Sequence, residues 1–354
     1  MKLNAFLASV MWASALMFSV CGAGAADFSN PDEGDFVLSD FEFHDGTTMD
    51  LNVHYYTVGD PANEAVVLLH GTTGSGKSMM GPNFADALYG PGQPLDADKY
   101  FLIFPDAIGT GGTTKPSDGL RASFPHYNLD DMVDAQYRLL TAGLDLSHVR
   151  LIFGYSMGGM NVWTWGVRYP EFSDALIPMA SLPAPMAGRN WMMRRMIIDS
   201  VRTDPAWNNG DYTEQPPNLR MASVWYGLAT FGGDQALWAK APTNAEASAF
   251  VDERLANATV GDANDTMYQW DASRDFDPSP DLEKITAHVL VINSDDDERN
   301  PLSLGILEEA MPRIAHGQVH IIPGGPQTSG HGTPGQAALY ADKVAEFLAS
   351  VPAN

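Results

Sequence analysis

The chain of 354 residues has a single cysteine, and only 20 lysines and arginines against 44 aspartates and glutamates. One cysteine excludes a disulfide scaffold and a cysteine-rich zinc site, both of which need several. A formal net charge of -24 excludes the basic surface that a nucleic-acid binder presents to phosphate, and it also disfavours anionic substrates such as CoA esters. Beyond the first 25 residues there is no apolar run of the ~20 residues that a membrane span needs. What is present is ample material for a core: 45% of the residues are hydrophobic and 18% charged, unlike a disordered acidic tail. The length suits one large α/β domain or two smaller ones.

Residues 1–25 read as a secretory signal. Lys2 supplies a positive start, Ala5–Val20 a short apolar centre, and Ala23-Gly24-Ala25 a small-residue cleavage site. Lipidation at Cys21 would call for a small residue before it, and Val20 is bulky. The mature protein is expected to be soluble, periplasmic or secreted, and free of thiols, with no membrane span.

Strand and helix signals alternate along the rest. Phe36–Phe43 and Met49–Tyr56 alternate apolar and polar residues around Asp45-Gly46, as a hairpin does. Continuous apolar runs at Ala65–Leu69, Tyr100–Phe104, Val149–Phe153, Ala175–Met179 and Val289–Ile292 fit buried parallel strands, and a last strand is expected at Val319–Ile322. Leu129, Met132, Val133, Tyr137 and Leu140 form a helical stripe, as do Val344, Phe347 and Leu348. This pattern predicts an α/β fold whose mainly parallel sheet is flanked by helices. Residues 182–280 break the pattern, with no clear strand but many Trp, Met and Tyr residues at helical spacing. They are expected to form a helical lid between two core segments, 26–181 and 281–354, with most of these aromatics making the lid's own core.

The chemistry is carried by Gly154-Tyr155-Ser156-Met157-Gly158, which directly follows one apolar run and opens a helical stretch. A nucleophile elbow requires that strand–turn–helix setting. The turn strains the Ser156 backbone, and glycines two positions either side remove side chains that would collide. Ser156 then projects above the sheet, with the Met157 N–H aimed at a developing oxyanion. A serine needs a base held by an acid, in the chain order Ser, Asp or Glu, His. Asp295-Asp296-Asp297 lies just beyond the Val289–Ile292 strand, and Gly330-His331-Gly332 follows the last one. His331 is therefore the expected base. Asp297 is the favoured acid and Asp296 the second choice. After the Ala65–Leu69 strand comes His70-Gly71, so the N–H of Thr72 is the expected second oxyanion donor, with Thr73 next.

Gly71-Thr72-Thr73-Gly74-Ser75-Gly76-Lys77-Ser78 also matches the phosphate-binding P-loop pattern. Pro82 would interrupt the helix whose N-terminus must bind the phosphate, and an exported protein meets little ATP. The acidic run 295–297 could attract a cation but reads as a solvated loop around one catalytic carboxylate. No metal or cofactor is expected.

On these residues the chain resembles the α/β-hydrolase superfamily, and within it the homoserine O-acetyltransferase-like branch. The resemblance extends through Gly90-Pro91-Gly92 to Asp96, Asp106-Ala107-Ile108-Gly109, Lys115-Pro116-Ser117, Asp130-Asp131-Met132-Val133, Gly154 to Met160, and Asp204-Pro205-Ala206-Trp207. It implies a core sheet with a helical lid, a Ser156–His331–Asp297 triad and a covalent acyl-enzyme. Arg194 and Arg195 lie near where such transferases place a substrate-binding arginine. The export signal and the hydrolase-like His70-Gly71 are departures from that branch. The leading expectation is an exported serine hydrolase cleaving a carboxylic ester or similar acyl bond of a small molecule. Acyl transfer of the homoserine O-acetyltransferase kind is the alternative, and a non-catalytic binding protein the third reading. Self-association into a homo-oligomer is left open.

Overall fold

The structure is a computed structural model that describes residues 31–353. Residues 1–25, expected to be a secretory signal and including Cys21, lie outside the described residues. A hairpin of β1 (Asp32–Glu42) and β2 (Thr48–Val58) opens the fold, turning where Gly46 has a φ of 83°. Then come β3 (Glu64–Leu69), β4 (Tyr100–Pro105), β5 (Val149–Tyr155), β6 (Ser173–Met179), β7 (His288–Ser294) and β8 (Gly317–Ile322). Among the described residues they form one sheet in the order β1-β2-β4-β3-β5-β6-β7-β8. The hairpin joins antiparallel through β2 and β4, and every later pairing is parallel.

The continuous apolar runs are strands buried on both faces. Val66 and Leu68 of β3 belong to one core and Val67 and Leu69 to the other, because side chains alternate along a strand. Leu290 and Ile292 of β7 divide from Val289 and Val291 in the same way. Each such side chain contributes roughly 1.5–3 kcal/mol on full burial, so the strand runs are where the core is strongest.

Helices fill both faces. In chain order they are α1 (Gly76–Met79), α2 (Pro82–Leu88), α3 (Leu129–Arg138) and α4 (Met157–Arg168). Between β6 and β7 lie α5 (Gly188–Arg202), α6 (Asn218–Thr230), α7 (Asp234–Lys240), α8 (Asn244–Asn257) and α9 (Ala263–Asp271), and the chain ends with α10 (Ile306–Ala310) and α11 (Ala341–Ser350). Phe84 and Leu88 of α2 share a core with Val344 and Phe347 of α11, while Met132 and Val133 of α3 share the other with Val162 and Trp163 of α4.

Residues 188–271 between β6 and β7 carry helices joined by loops, with no strand among the described residues and one bridge that pairs Phe231 with Gly330. The aromatics expected to form the core of this insertion do so only in part. Tyr226, Tyr268 and Trp270 are buried, whereas Met192, Met196, Trp225 and Trp238 are exposed. A single layer of helices has one inner face, and it cannot cover apolar side chains on the outer one. The P-loop-like stretch ends differently from a phosphate site: α1 stops at Met79, and Pro82 starts a separate helix with Gly81 as its N-cap.

The site is positioned by topology. The chain leaves β3 for β4 on one side and leaves β5 for β6 on the other. The carboxyl ends of neighbouring β3 and β5 therefore open a crevice at the switch in strand order. The loop carrying Thr72 and the turn carrying Ser156 face each other across it.

Candidate active site

Ser156 sits between β5 and α4 with φ 55° and ψ -114°, a conformation that L-residues avoid. Such strain persists only where the surroundings over-determine it. Here Ser156 N–H donates to the Met179 carbonyl at 2.9 Å, fixing the turn against β6. A side chain on Gly158 would collide with the Leu69 carbonyl, and one on Gly154 with Gly158 itself. The two glycines therefore let the sharp turn press against β3.

His331 Nε2 lies 2.9 Å from Ser156 Oγ, and Nδ1 lies 2.9 and 3.0 Å from the two oxygens of Asp297. The Nδ1 proton faces the carboxylate, which leaves Nε2 as the acceptor for the serine proton. Asp297 is further held by the N–H of Arg299 at 2.8 Å and the Asn300 amide at 2.9 Å, and Asn300 in turn donates to the Ala180 carbonyl. The three consecutive carboxylates have separate tasks. Asp296 accepts from Ser294 Oγ and from Thr328 Oγ1, and Asp295 accepts from the Gly324 N–H. Among the described residues no three His, Cys, Asp or Glu side chains converge as a metal site.

The expected oxyanion donors are also placed. Met157 N–H is the first of α4 and has no intrahelical acceptor. Thr72 lines the same cavity as Ser156, and its N–H has no partner among the described residues. Thr73 is not free: its N–H donates to Gln269 Oε1 of α9 at 2.5 Å. His70, buried beneath this loop, accepts the Ala107 N–H at Nε2 and donates from Nδ1 to the Gly71 carbonyl at 2.8 Å.

Burial first, and then the nearby Arg299 cation, pull the His331 pKa below its ordinary 6.5, against the opposing pull of Asp297. Burial alone would raise the Asp297 pKa, but His331, Asn300 and the Arg299 N–H outweigh it and hold the carboxyl ionised. The sign follows directly. His331 accepts a proton from Ser156 only when neutral, and a depressed pKa keeps it neutral to lower pH. The acid limb of kcat/KM is expected below pH 6.5, with a pH-independent plateau above it. A pH–rate series on the purified enzyme checks this, and a limb above 7 would contradict it.

Two cavities meet at the serine, one of about 70 Å³ and one of about 730 Å³. Ser156, His331 and Arg299 line both. Arg194 also lines the smaller one. It donates to Asn190 and Ser273 and lies 5.0 Å over the Trp270 ring, while Arg299 donates to Thr230 and lies 4.2 Å over Tyr226. No carboxylate lies within 4.0 Å of either guanidinium among the described residues. Burial, with Arg299 nearby, brings the Arg194 pKa down to about 10, so it still carries its charge at neutral pH. Arg195 points away and pairs with Asp199. Arg299 stands two residues after Asp297 inside an acidic run, and its lone positive charge there was the one sequence signal for it. Gln269 and Asn300 had none.

A family model described as alpha/beta hydrolase fold matches residues 64–326, which include β3 to β8, Ser156 and Asp297. The chain belongs to the α/β-hydrolase family. By sequence this α/β-hydrolase is similar to a homoserine O-acetyltransferase of Chlorobium chlorochromatii, at 35% identity over 195 residues, 50% of this chain and 52% of that one. The chain spans about half the length of the curated relatives it matches. By fold it is similar to a homoserine O-acetyltransferase from Bacillus anthracis, with a TM-score of 0.79 at 21% identity, covering 92% of this chain and 99% of that one. It is likewise similar in fold to an acetylester hydrolase from Corynebacterium glutamicum, with a TM-score of 0.77 at 19% identity, covering 90% and 96%.

Proposed function

We propose that this α/β-hydrolase transfers a small acyl group through an acyl-enzyme on Ser156 to a hydroxyl acceptor bearing a carboxylate, as a homoserine O-acetyltransferase does. The observation that carries this reading is a pair of arginines beside Ser156 and His331, the buried Arg194 and the half-buried Arg299, neither with a carboxylate within 4.0 Å of its guanidinium among the described residues. Buried cations are costly without a counter-charge, and a substrate carboxylate supplies one. The sequence relatives point the same way. The net charge of -24 disfavours anions, but Arg194 and Arg299 line the cleft itself, and remote surface carboxylates are screened beyond about 8 Å.

In this reading Ser156 Oγ attacks the acyl carbonyl while His331 Nε2 takes its proton. The Thr72 and Met157 N–H groups hold the oxyanion, and His331 returns the proton to the leaving group as the acyl-enzyme forms. The acceptor hydroxyl then gives its proton to His331, attacks the acyl carbon, and leaves as the new ester when the proton returns to Ser156. Water in place of the acceptor would give hydrolysis. That second reading is favoured by the 730 Å³ cavity, which leaves room for water beside His331. The leader-like residues 1–25 support export, which would make the donor an ester or thioester found outside the cytoplasm.

Incubating the enzyme with an acetyl donor and homoserine, and separating acetylhomoserine from acetate, tests the choice. The expected result is mostly acylated acceptor, with Arg194→Met raising the acceptor KM about 10- to 100-fold, the worth of a hydrogen bond to a charged group. Acetate as the sole product, whatever acceptor is present, would replace transfer with hydrolysis.

A further inference from the structure

The loop that presents Thr72 is strained one residue further on. Thr73 has φ 62°, and among the described non-glycine residues with positive φ it is the one with a β-branched side chain. Left-handed backbone is least tolerated by β-branched residues, so an outside contact must hold Thr73 there. The bond from Thr73 N–H to Gln269 Oε1 supplies it. Gln269 is buried on α9 in the lid, with its Nε2 directed at the Ile108 carbonyl.

Both peptide planes flanking Thr72 are thereby pinned. The Gly71 carbonyl accepts from His70 Nδ1 at 2.8 Å and from the Gly74 N–H at 3.0 Å. Because a trans peptide is planar, fixing that oxygen aims the Thr72 N–H the opposite way. The next plane ends in the Thr73 N–H, which Gln269 holds. His70 belongs to the core side of the loop and Gln269 to the lid side.

We propose that Gln269 is a positioning residue for the oxyanion hole: by capping Thr73 in its strained conformation it fixes the Thr72 N–H, so the hole is complete only when α9 is docked. This rests on the acyl-enzyme reading above. Lid placement and transition-state stabilisation become one event, with a lid side chain that touches no reacting atom.

The test compares Gln269→Leu, Gln269→Glu and Thr73→Gly, alone and combined. Gln269→Leu is expected to lower kcat about 10- to 100-fold with KM nearly unchanged, since only the oxyanion is destabilised. The rate of Ser156 labelling by a fluorophosphonate should fall by a similar factor. Gln269→Glu keeps an acceptor oxygen for Thr73 but loses the donor to the Ile108 carbonyl and adds a negative charge near the oxyanion, so it should recover only part of kcat relative to Gln269→Leu. In the Thr73→Gly background, where left-handed backbone is unstrained, the Gln269→Leu effect should shrink to a few-fold. An unchanged kcat in Gln269→Leu, a loss confined to KM, or the same loss with and without Thr73→Gly would overturn the proposal. If the unmodified enzyme is not labelled at Ser156 at all, the acyl-enzyme reading fails instead. Labelling of the parent at a rate Gln269→Leu leaves untouched would refute the positioning role of Gln269 alone.

Discussion

Ser156→Ala is expected to lower kcat/KM by about 10⁴- to 10⁶-fold, the loss seen when a serine triad is deprived of its nucleophile. The size follows from geometry. Ser156 Oγ is the atom 2.9 Å from His331 Nε2, and both cavities converge on it. Without it His331 has nothing to deprotonate except water, and no covalent intermediate forms. The oxyanion donors and the arginine pair remain, so a small residual rate over the uncatalysed reaction should survive. Alanine keeps a Cβ in the same strained backbone, so stability should change little and the loss can be read as chemistry. Acyl-transfer rates, together with intact-mass detection of a fluorophosphonate adduct, measure it. Activity above a few per cent of the parent would remove Ser156 from the mechanism.

Asp297→Asn should come next, at about 10⁴-fold in kcat near neutral pH. Asparagine matches the shape of the carboxylate but presents an amide to His331 Nδ1. The ring then favours the tautomer with its proton on Nε2, which faces Ser156 and can no longer accept. The imidazolium formed during attack also loses its counter-charge. Asp296→Asn provides the contrast. Asp296 is bonded to Ser294 and Thr328 and ties the β7 loop to the segment leading into His331. Its loss weakens hydrogen bonds to a charged group and should lower the melting temperature, while kcat should change far less than in Asp297→Asn, because Asp296 bonds to neither Ser156 nor His331. Equal effects of the two substitutions would mean that the acid role is shared.

These two variants separate what could be read locally from what could not. The expected strands end within four residues of the observed ones, because β3 to β7 are short apolar runs between turn residues and the β1–β2 hairpin alternates apolar and polar residues around its turn. The Ser156 turn was legible for a similar reason, since glycines at 154 and 158 are demanded by contacts with Leu69 and within the turn itself. The helices between β6 and β7 were legible but not their faces: Trp225 and Tyr226 are adjacent, yet one is half exposed and the other buried against Arg299. Helical spacing marks a stripe, and it takes a neighbouring layer to decide which stripe is inside.

The single cysteine, the shortage of positive charge, the alternation of strand and helix and the chain order of Ser156, Asp297 and His331 can all be read along the chain. Each is a matter of composition or of contacts within a few residues. Folding settles which of three adjacent carboxylates meets His331, that Gln269 claims the Thr73 N–H and leaves that of Thr72, and that two cations line the cleft of an acidic chain. The physical reason is common to all three. Hydrogen bonds and buried charges act over a few ångströms, and the partners concerned are separated by 34 residues in one case and 196 in another.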